Sequence, residues 1–206
     1  MYGATRSGTS YMYDLVKRCA RLHVSDWGLG MILAGIQHWT EFRSFAQHEY
    51  ILFDQQRLLR DLSANILENA YPGFGDQIDL VYKQATLELD EYPALVAMWG
   101  QPERSIMCLR EPAGYMASAA IKFPSASVGE LQEAYIKSLK AFWQAGGDVF
   151  EYRAGLTTAD YLAFLEPLRF DETCVIAFSY RGRQQPDDVT AGMWEAYHRV
   201  KAVTGD

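Results

Sequence analysis

The sequence predicts an α/β fold, a three-layer sandwich in which a central parallel sheet lies between layers of helices. Short apolar runs, which indicate strands, alternate along the chain with longer segments that have a helical period. Strands separated by helices of this length are joined by right-handed crossovers and therefore run parallel. The chain has 206 residues, of which 49% are hydrophobic, so we predict a single domain spanning 1–206 with one substantial core.

The elements are predicted from periodicity and from their boundary residues. Ser127 and Glu130 form a capping box that begins a long helix, and Gly146 ends it. The other helices are predicted at 9–22, 54–70, 93–99, 113–121, 158–168 and 189–203, and the strands at 78–82, 105–109, 149–152 and 173–178.

Composition argues against several classes of function. A net charge of −7 disfavours a general nucleic-acid-binding protein, which normally has a basic face. The three cysteines, Cys19, Cys108 and Cys174, are far apart and form no CxxC pair, so we expect reduced thiols and no metal site. The most apolar stretch, 27–39, is too short to span a bilayer, and the first residues lack a signal-peptide pattern. We therefore expect a cytoplasmic protein without a nucleic-acid or membrane partner.

The first segment that carries chemistry is the loop Gly3–Ser10. Two glycines five positions apart, followed by hydroxyl residues and a helix, suit a shortened P-loop whose backbone N–H groups surround an anion. A Walker A loop has Lys after its second glycine, whereas Thr9 stands there and the cation is Arg6. The competing interpretation is an ordinary turn of glycine and serine that caps a helix.

The second segment is the strand 105–109 with the residues that follow it. A buried strand with Arg110 at its carboxyl end places a cation at the edge of the sheet where ligands bind in such folds. Ser118 lies eight residues later, on the following helix, where its hydroxyl can approach the same anion. The competing interpretation is an ion pair of Arg110 with Glu111 or Glu103, and a solvated serine.

Together these two segments resemble the sulfotransferase family, whose members use 3′-phosphoadenosine-5′-phosphosulfate (PAPS) as co-substrate. The family's phosphosulfate loop, a basic residue followed by Ser-Gly-Thr and then Thr or Ser, is matched by residues 6–10. Its second signature, a strand-end Arg with a Ser eight residues later, is matched by Arg110 and Ser118. The arginine at position 6 is more similar to bacterial and Golgi-type members than to cytosolic animal enzymes. The resemblance implies a P-loop nucleoside triphosphate hydrolase-like, sulfotransferase-like fold and no metal cofactor.

The resemblance also implies a role for each matched residue. Arg6 would contact the sulfonate and stabilise the charge that develops on the leaving phosphate. Lys83, after the strand 78–82, stands where members often place a Lys near the sulfonate; a solvated lysine is the alternative. The implied PAPS-binding residues are Arg6, Ser7, Gly8, Thr9, Ser10, Arg110 and Ser118, with the last two on the 3′-phosphate.

The general base is the position at which this sequence departs most from the family. Cytosolic members take the acceptor's proton with a His two residues after the strand-end Lys, and Ala85 stands at that place. Other branches use a carboxylate shortly after the first helix, which nominates Asp26 as a catalytic residue, with Glu41 as second choice. His23 and His38 are also near in sequence, and we expect them to be structural.

Three further segments depart from the family pattern. The family commonly continues the strand near Tyr152 with Tyr-Glu-Asp, whereas this chain has Arg and Ala at 153–154. Residues 181–183 form an Arg-Gly-Arg segment that is either a late phosphate clamp or a solvated loop. Only Met1 and Tyr2 precede the loop, so either the first strand of the predicted fold is vestigial or the sequence is truncated at its start.

The sequence therefore predicts an enzyme that transfers a sulfuryl group from PAPS to a hydroxyl or amine of a small-molecule or carbohydrate acceptor. The aromatic-rich segment 27–53 is a candidate wall for that acceptor, or part of the core. Two alternatives stay open: a non-catalytic relative that binds the nucleotide, and a P-loop kinase or NTPase. The missing Walker lysine disfavours the kinase or NTPase.

Overall fold

The computed structural model describes residues 1–25, 78–85, 91–166 and 189–203, together with the single positions 61, 64, 65 and 68. Four strands are present in these ranges: β1 (Ala20–Val24), β2 (Ile78–Tyr82), β3 (Ile106–Arg110) and β4 (Asp148–Tyr152). The helices are α1 (Thr9–Val16), α2 (Glu91–Trp99), α3 (Pro112–Lys122), α4 (Val128–Lys140), α5 (Phe142–Ala145), α6 (Thr158–Leu165) and α7 (Ala191–Val203), with a 3-10 turn at Lys17–Cys19.

All the strand pairs run parallel, as the sequence predicts. β1 pairs with β2, with Ala20 opposite Ile78, and β3 pairs with β4, with Arg110 opposite Tyr152. Tyr2 forms parallel bridges to Gln84 beyond β2 and to Met107 in β3, so residues 1–3 join the two pairs. The spatial order is therefore β1, β2, residues 1–3, β3, β4. Tyr2 is thus bridged on both sides, as a residue of a strand between β2 and β3 would be.

Helices cover both faces of this sheet. For this reason every residue of β3 is buried, and its side chains alternate between two cores. Met107 and Leu109 enter one core, with side chains from α3, α4 and α7. Ile106 and Cys108 enter the other core, with side chains from α1 and α6. The predicted α/β class is thus confirmed.

Most of the predicted elements that lie within the described ranges are confirmed to within a few residues. The capping box is present: the Ser127 hydroxyl accepts from the Glu130 N–H at 3.2 Å, and the Glu130 carboxylate accepts from the Ser127 N–H at 2.7 Å. The long helix is divided at Ala141 into α4 and α5. The predicted strand 173–178 lies outside the described residues, as does most of the helix 54–70.

The predicted helix 9–22 is wrong in its second half. α1 ends at Val16, and β1 begins at Ala20 after the 3-10 turn. Ala20, Leu22 and Val24 also fit the period of two that strands show, and the parallel ladder to β2 satisfies their backbone groups. In residues 20–24, pairing with the distant strand β2 therefore outweighs the helical propensity of the segment.

Candidate anion-binding site

The loop between Tyr2 and α1 has the backbone conformation of a tight cradle. Gly8 has φ 87° and Arg6 has φ 68°, and Arg6 is the one non-glycine residue with positive φ in the described part of the chain. A Cβ at Gly8 would lie 2.6 Å from the Tyr152 ring, so both the conformation and the space favour glycine there. The Ser7 N–H donates to the Ala4 carbonyl at 3.2 Å and closes the turn. A strained non-glycine residue of this kind is typical of functional loops.

Contacts with β3 and α3 hold this loop in place. The Arg110 guanidinium donates through Nη1 to the Arg6 carbonyl at 2.9 Å, and the Arg6 Nε donates to the Ser118 hydroxyl at 3.0 Å. A side-chain hydrogen bond also links Thr5 to Tyr115 of α3. Arg6, Arg110 and Ser118, which lie far apart in the sequence, are therefore parts of one hydrogen-bonded network at the carboxyl edge of the sheet.

The charge of Arg110 is buried, and no carboxylate of the described residues forms an ion pair with it. Its side chain is 4% exposed, and within the described ranges it forms no ion pair with Glu111, Glu103 or any other carboxylate. The guanidinium carbon lies 4.9 Å from the centre of the Tyr152 ring, a cation–π contact that compensates only part of the lost hydration. The ion-pair interpretation of Arg110 is therefore wrong for the carboxylates that the structure describes.

Two buried polar atoms beside this charge have no hydrogen-bond partner: the Nε of Arg110 and the hydroxyl of Ser7. Ser7 is 1% exposed, so water cannot readily replace a missing partner. A buried guanidinium with an unpaired N–H, together with an unpaired hydroxyl in the adjoining loop, fits an anion with several acceptor oxygens. A phosphate or sulfate group has this chemistry.

The beginning of α1 adds partial positive charge to the same place. Gly8 is the N-cap and has no side chain with which to cap the first turn, and that turn holds no acidic residue. The first N–H groups of a helix have no partners within the helix and attract an anion. Thr9, at the position of the Walker lysine, is 3% exposed, and Ser10 beside it is exposed.

Lys83 follows β2 directly, at the same edge of the sheet. Its backbone N–H donates to the Val24 carbonyl at 2.9 Å, and its ammonium lies 6.0 Å from the centre of the Tyr13 ring in α1. The described contacts of the Lys83 side chain are thus with the second turn of α1. Ala85, two residues on, has only a methyl group and cannot act as a base.

His23 of β1 contacts the same tyrosine. Its Nδ1 lies 2.8 Å from the Tyr13 hydroxyl, and burial, followed by the nearby charge of Lys17, lowers the pKa of the imidazole below its usual range. The predicted base Asp26 and the candidates Glu41 and His38 lie outside the described residues. So do residues 181–183 and the aromatic segment 27–53.

The sequence analysis did not predict that Tyr152 and Gly114 help to place Arg110. Tyr152 stands opposite Arg110 in the parallel register, so its ring contacts both the guanidinium and Gly8. Gly114 leaves room for the arginine, because a Cβ there would lie 2.9 Å from the Arg110 Nε. The sequence held two signals that could have indicated these roles. Tyr152 is an aromatic residue at a strand end, and Gly114 is a glycine four residues after Arg110.

No protein-family model matches this chain, and no curated protein or solved structure matches it either. The site is therefore interpreted from its own geometry. Among the residues that the structure describes, there is no group of three or more metal-binding side chains. No helix in the same ranges is long and apolar enough to cross a membrane.

Proposed function

We propose that this protein binds PAPS at the loop Gly3–Ser10 and transfers its sulfuryl group to a hydroxyl or amine acceptor. The observation that carries the proposal is the buried guanidinium of Arg110, which has no counter-ion among the described carboxylates and lies in one network with Arg6 and Ser118. Burial of the Arg110 charge costs free energy that a bound anion would offset.

Two anionic groups on one ligand suit the two parts of this network. The loop and the first turn of α1 provide backbone N–H groups for one phosphate, and Arg110 with Ser118 provides charge and a hydroxyl for the other. PAPS carries a 5′-phosphosulfate and a separate 3′-phosphate. When bound, it supplies the activated sulfuryl group. The charge of Arg6 would stabilise the 5′-phosphate of the departing adenosine 3′,5′-bisphosphate as the bond between sulfur and the bridging oxygen breaks.

Calorimetric titration with adenosine 3′,5′-bisphosphate, alongside ATP with Mg²⁺, tests the proposed ligand. We expect the bisphosphate to bind and Arg110→Ala to weaken it by roughly tenfold to a hundredfold, because that change removes charge-assisted hydrogen bonds. Arg199→Ala is the matched control. Arg199 belongs to α7, its guanidinium lies over the Trp143 ring of α5, and the substitution removes the same charge. The affinity of this variant for the bisphosphate should equal that of the unmodified protein.

Three outcomes decide between the open functions. Preference for ATP with Mg²⁺ over the bisphosphate would contradict the proposal and favour a kinase or NTPase. Absence of binding by either ligand would overturn it altogether. Binding of the bisphosphate without transfer of labelled sulfate from PAPS to a panel of sugar, phenol and amine acceptors would favour the non-catalytic nucleotide-binding protein.

A further inference from the structure

His23 lies towards the carboxyl edge of the sheet, where the anion site also lies. It is the fourth residue of β1, and it stands opposite Val81 in the register with β2. Lys83 lies two residues after Val81, on the same face of the sheet, because side chains alternate along a strand. Both His23 and Lys83 contact Tyr13, so this face is the one that α1 covers.

Two strand spacings separate His23 from the loop that the proposed ligand occupies. The order β1, β2, residues 1–3 places β1 about 10 Å from the residues that lead into the loop Gly3–Ser10. Reacting atoms approach to about 3–3.5 Å, and a general base lies within about 3 Å of the atom whose proton it takes. A sulfonate and an acceptor atom between the loop and β1 therefore fit this separation.

The Tyr13 hydroxyl orients the His23 ring. Its oxygen lies 2.8 Å from Nδ1, and Tyr13 is buried, whereas His23 is partly exposed. When Nδ1 carries the proton, it donates to the Tyr13 oxygen, and Nε2 then has a lone pair that can accept a proton. A base whose second nitrogen is held by a neighbouring side chain is a recurring arrangement in catalysis. This contact therefore suits His23 to take a proton through Nε2.

The surroundings of His23 favour the neutral imidazole that a base requires. Burial, followed by the nearby Lys17 ammonium, lowers the pKa of His23 below its usual range. Charged side chains come from α1, the 3-10 turn, β1, β2 and the residue after β2: Asp14, Lys17, Arg21, Asp79 and Lys83. This set carries more positive than negative charge. At pH 7.5 the ring is therefore predominantly neutral.

We propose that His23 is the general base of the sulfuryl transfer and that Tyr13 positions it, an inference that rests on the proposed function. Nε2 of His23 takes the proton of the acceptor's hydroxyl or amine as the acceptor's oxygen or nitrogen bonds to sulfur. The bond between sulfur and the bridging oxygen breaks, and its electron pair stays on the 5′-phosphate of adenosine 3′,5′-bisphosphate. The imidazolium then returns the proton to solvent. His23 thus has a role beyond the structural one expected from the sequence.

A measurement on the ligand-free protein tests the orientation of the ring without any acceptor. Long-range proton–nitrogen NMR spectra at pH 7.5 report which ring nitrogen carries the proton, and His23→Gln identifies the signals of His23. We expect the proton on Nδ1. Tyr13→Phe keeps the aromatic ring but removes the hydroxyl, and it should lower the population of this form. A proton on Nε2 in the unmodified protein would overturn the proposal, because that nitrogen could not accept another.

Transfer of labelled sulfate from PAPS to the panel of sugar, phenol and amine acceptors tests the chemistry. We expect His23→Gln to lower kcat at least about a hundredfold and Tyr13→Phe roughly tenfold, with the KM for PAPS unchanged. The acidic limb of the kcat/KM profile should lie below pH 6.5 and should disappear in His23→Gln. The matched control is His198→Gln, which changes an exposed histidine stacked on Trp194 in α7 and should leave kcat unchanged.

Binding of adenosine 3′,5′-bisphosphate by the same variants separates this proposal from the proposed function. Normal binding and undiminished transfer in His23→Gln would overturn the role of His23 and leave the proposed function intact. A loss of transfer in Asp26→Asn alone would then assign the base to that carboxylate. A lower kcat in His23→Gln with an unchanged acidic limb would also overturn the proposal, because His23 would then be structural. Absence of transfer by the unmodified protein would overturn both.

Discussion

At the residue scale, the surroundings of Arg110, the last residue of β3, differ from those of Arg104, which lies two residues before β3. The Arg110 guanidinium contacts the Arg6 carbonyl and the Tyr152 ring, which are uncharged. Arg104 donates through Nε to the Asp148 carboxylate at 2.5 Å. A paired arginine stabilises the folded protein modestly, whereas a buried unpaired one costs free energy unless a ligand provides the counter-charge.

This contrast predicts opposite effects of one substitution at two positions. Arg110→Met should leave the melting temperature of the ligand-free protein unchanged or raise it, because an apolar side chain replaces an uncompensated charge. Arg104→Met should lower the free energy of unfolding by about 1 kcal/mol, because it breaks an ion pair whose carboxylate is half exposed. Urea unfolding of both variants measures the difference. A larger loss of stability at Arg110 than at Arg104 would contradict this account of the site.

Gly8 provides a second prediction at the same scale. Gly8→Ala should lower stability by roughly 1–2 kcal/mol, since alanine must adopt φ 87° and its Cβ would meet the Tyr152 ring. It should also weaken binding of adenosine 3′,5′-bisphosphate. Gly129→Ala is the control: Gly129 lies inside α4, a Cβ there meets nothing within 4 Å, and helix propensity predicts a gain of up to about 1 kcal/mol. Similar losses for the two variants would show that the loop conformation is not the cause.

The partners of the loop show how far sequence reasoning reached at this scale. Arg6, Arg110 and Ser118 were found because each carries recognisable chemistry at a recognisable spacing. The network that joins them was not predictable, because the bond from Arg110 goes to a backbone carbonyl, and any residue type can provide one. Tyr152 was named only as the residue before the departure from the family pattern at 153–154. Its contact with Arg110 was not predicted because it depends on the register of β3 and β4.

At the element scale, the sequence predicted a helix or strand correctly where the hydrogen bonds that fix it join residues close in sequence. Helix α4 begins at its capping box because both hydrogen bonds join residues three apart in the sequence. β1 was missed because its ladder partner, β2, begins 58 residues after it. The apolar residues of 20–24 fit either period, so only the neighbouring strand decides between helix and strand.

A second capping box, formed by Thr157 and Asp160, begins α6. Together with the capping box of α4, it predicts that the free energy of unfolding depends on pH. Hydrogen bonds from the Ser127 N–H and hydroxyl lower the pKa of Glu130, and those from the Thr157 hydroxyl and N–H lower the pKa of Asp160. A carboxylate with a lowered pKa in the folded state stabilises it above the ordinary pKa, and this contribution disappears as the pH falls through the folded-state value. Stability should therefore decrease below about pH 4.5, the ordinary value for Glu.

The double variant Ser127→Ala, Thr157→Ala tests this assignment. At pH 7 it should unfold at lower urea concentration than the unmodified protein, because each cap contributes about 1 kcal/mol. Near pH 3 the difference should narrow, since the protonated carboxyl groups cap less well in both proteins. A difference that stays constant between pH 7 and pH 3 would show that the carboxylates do not act through these caps.

At the scale of the whole molecule, the fully buried strand β3 lies beside residues 1–3. Every residue of β3 is buried, and residues 1–3 contact it through the Tyr2 N–H and carbonyl. Cys108 lies at this junction, 1% exposed, with its N–H bonded to the Tyr2 carbonyl at 2.8 Å. Its thiol should therefore become accessible only when the joined sheet opens, so it reports the stability of the whole domain.

Burial raises the pKa of the Cys108 thiol to about 12, from an ordinary value of 9.0. A thiol that stays neutral in the folded state but ionises in the unfolded one stabilises folding below pH 9 and loses this contribution as the pH rises from 9 towards 12. Burial also raises the pKa of Tyr135 and Tyr161, which acts in the same direction. We expect the protein to unfold at alkaline pH, and we expect its stability to depend less on pH in Cys108→Ala.

In a Cys19→Ser, Cys174→Ser background, labelling of Cys108 by a thiol reagent at pH 8 should accelerate with urea as steeply as global unfolding does. Rapid labelling without urea would mean that the contact between residues 1–3 and β3 opens locally, and that the loop after it is then held by its contacts with Arg110, Tyr115 and Ser118.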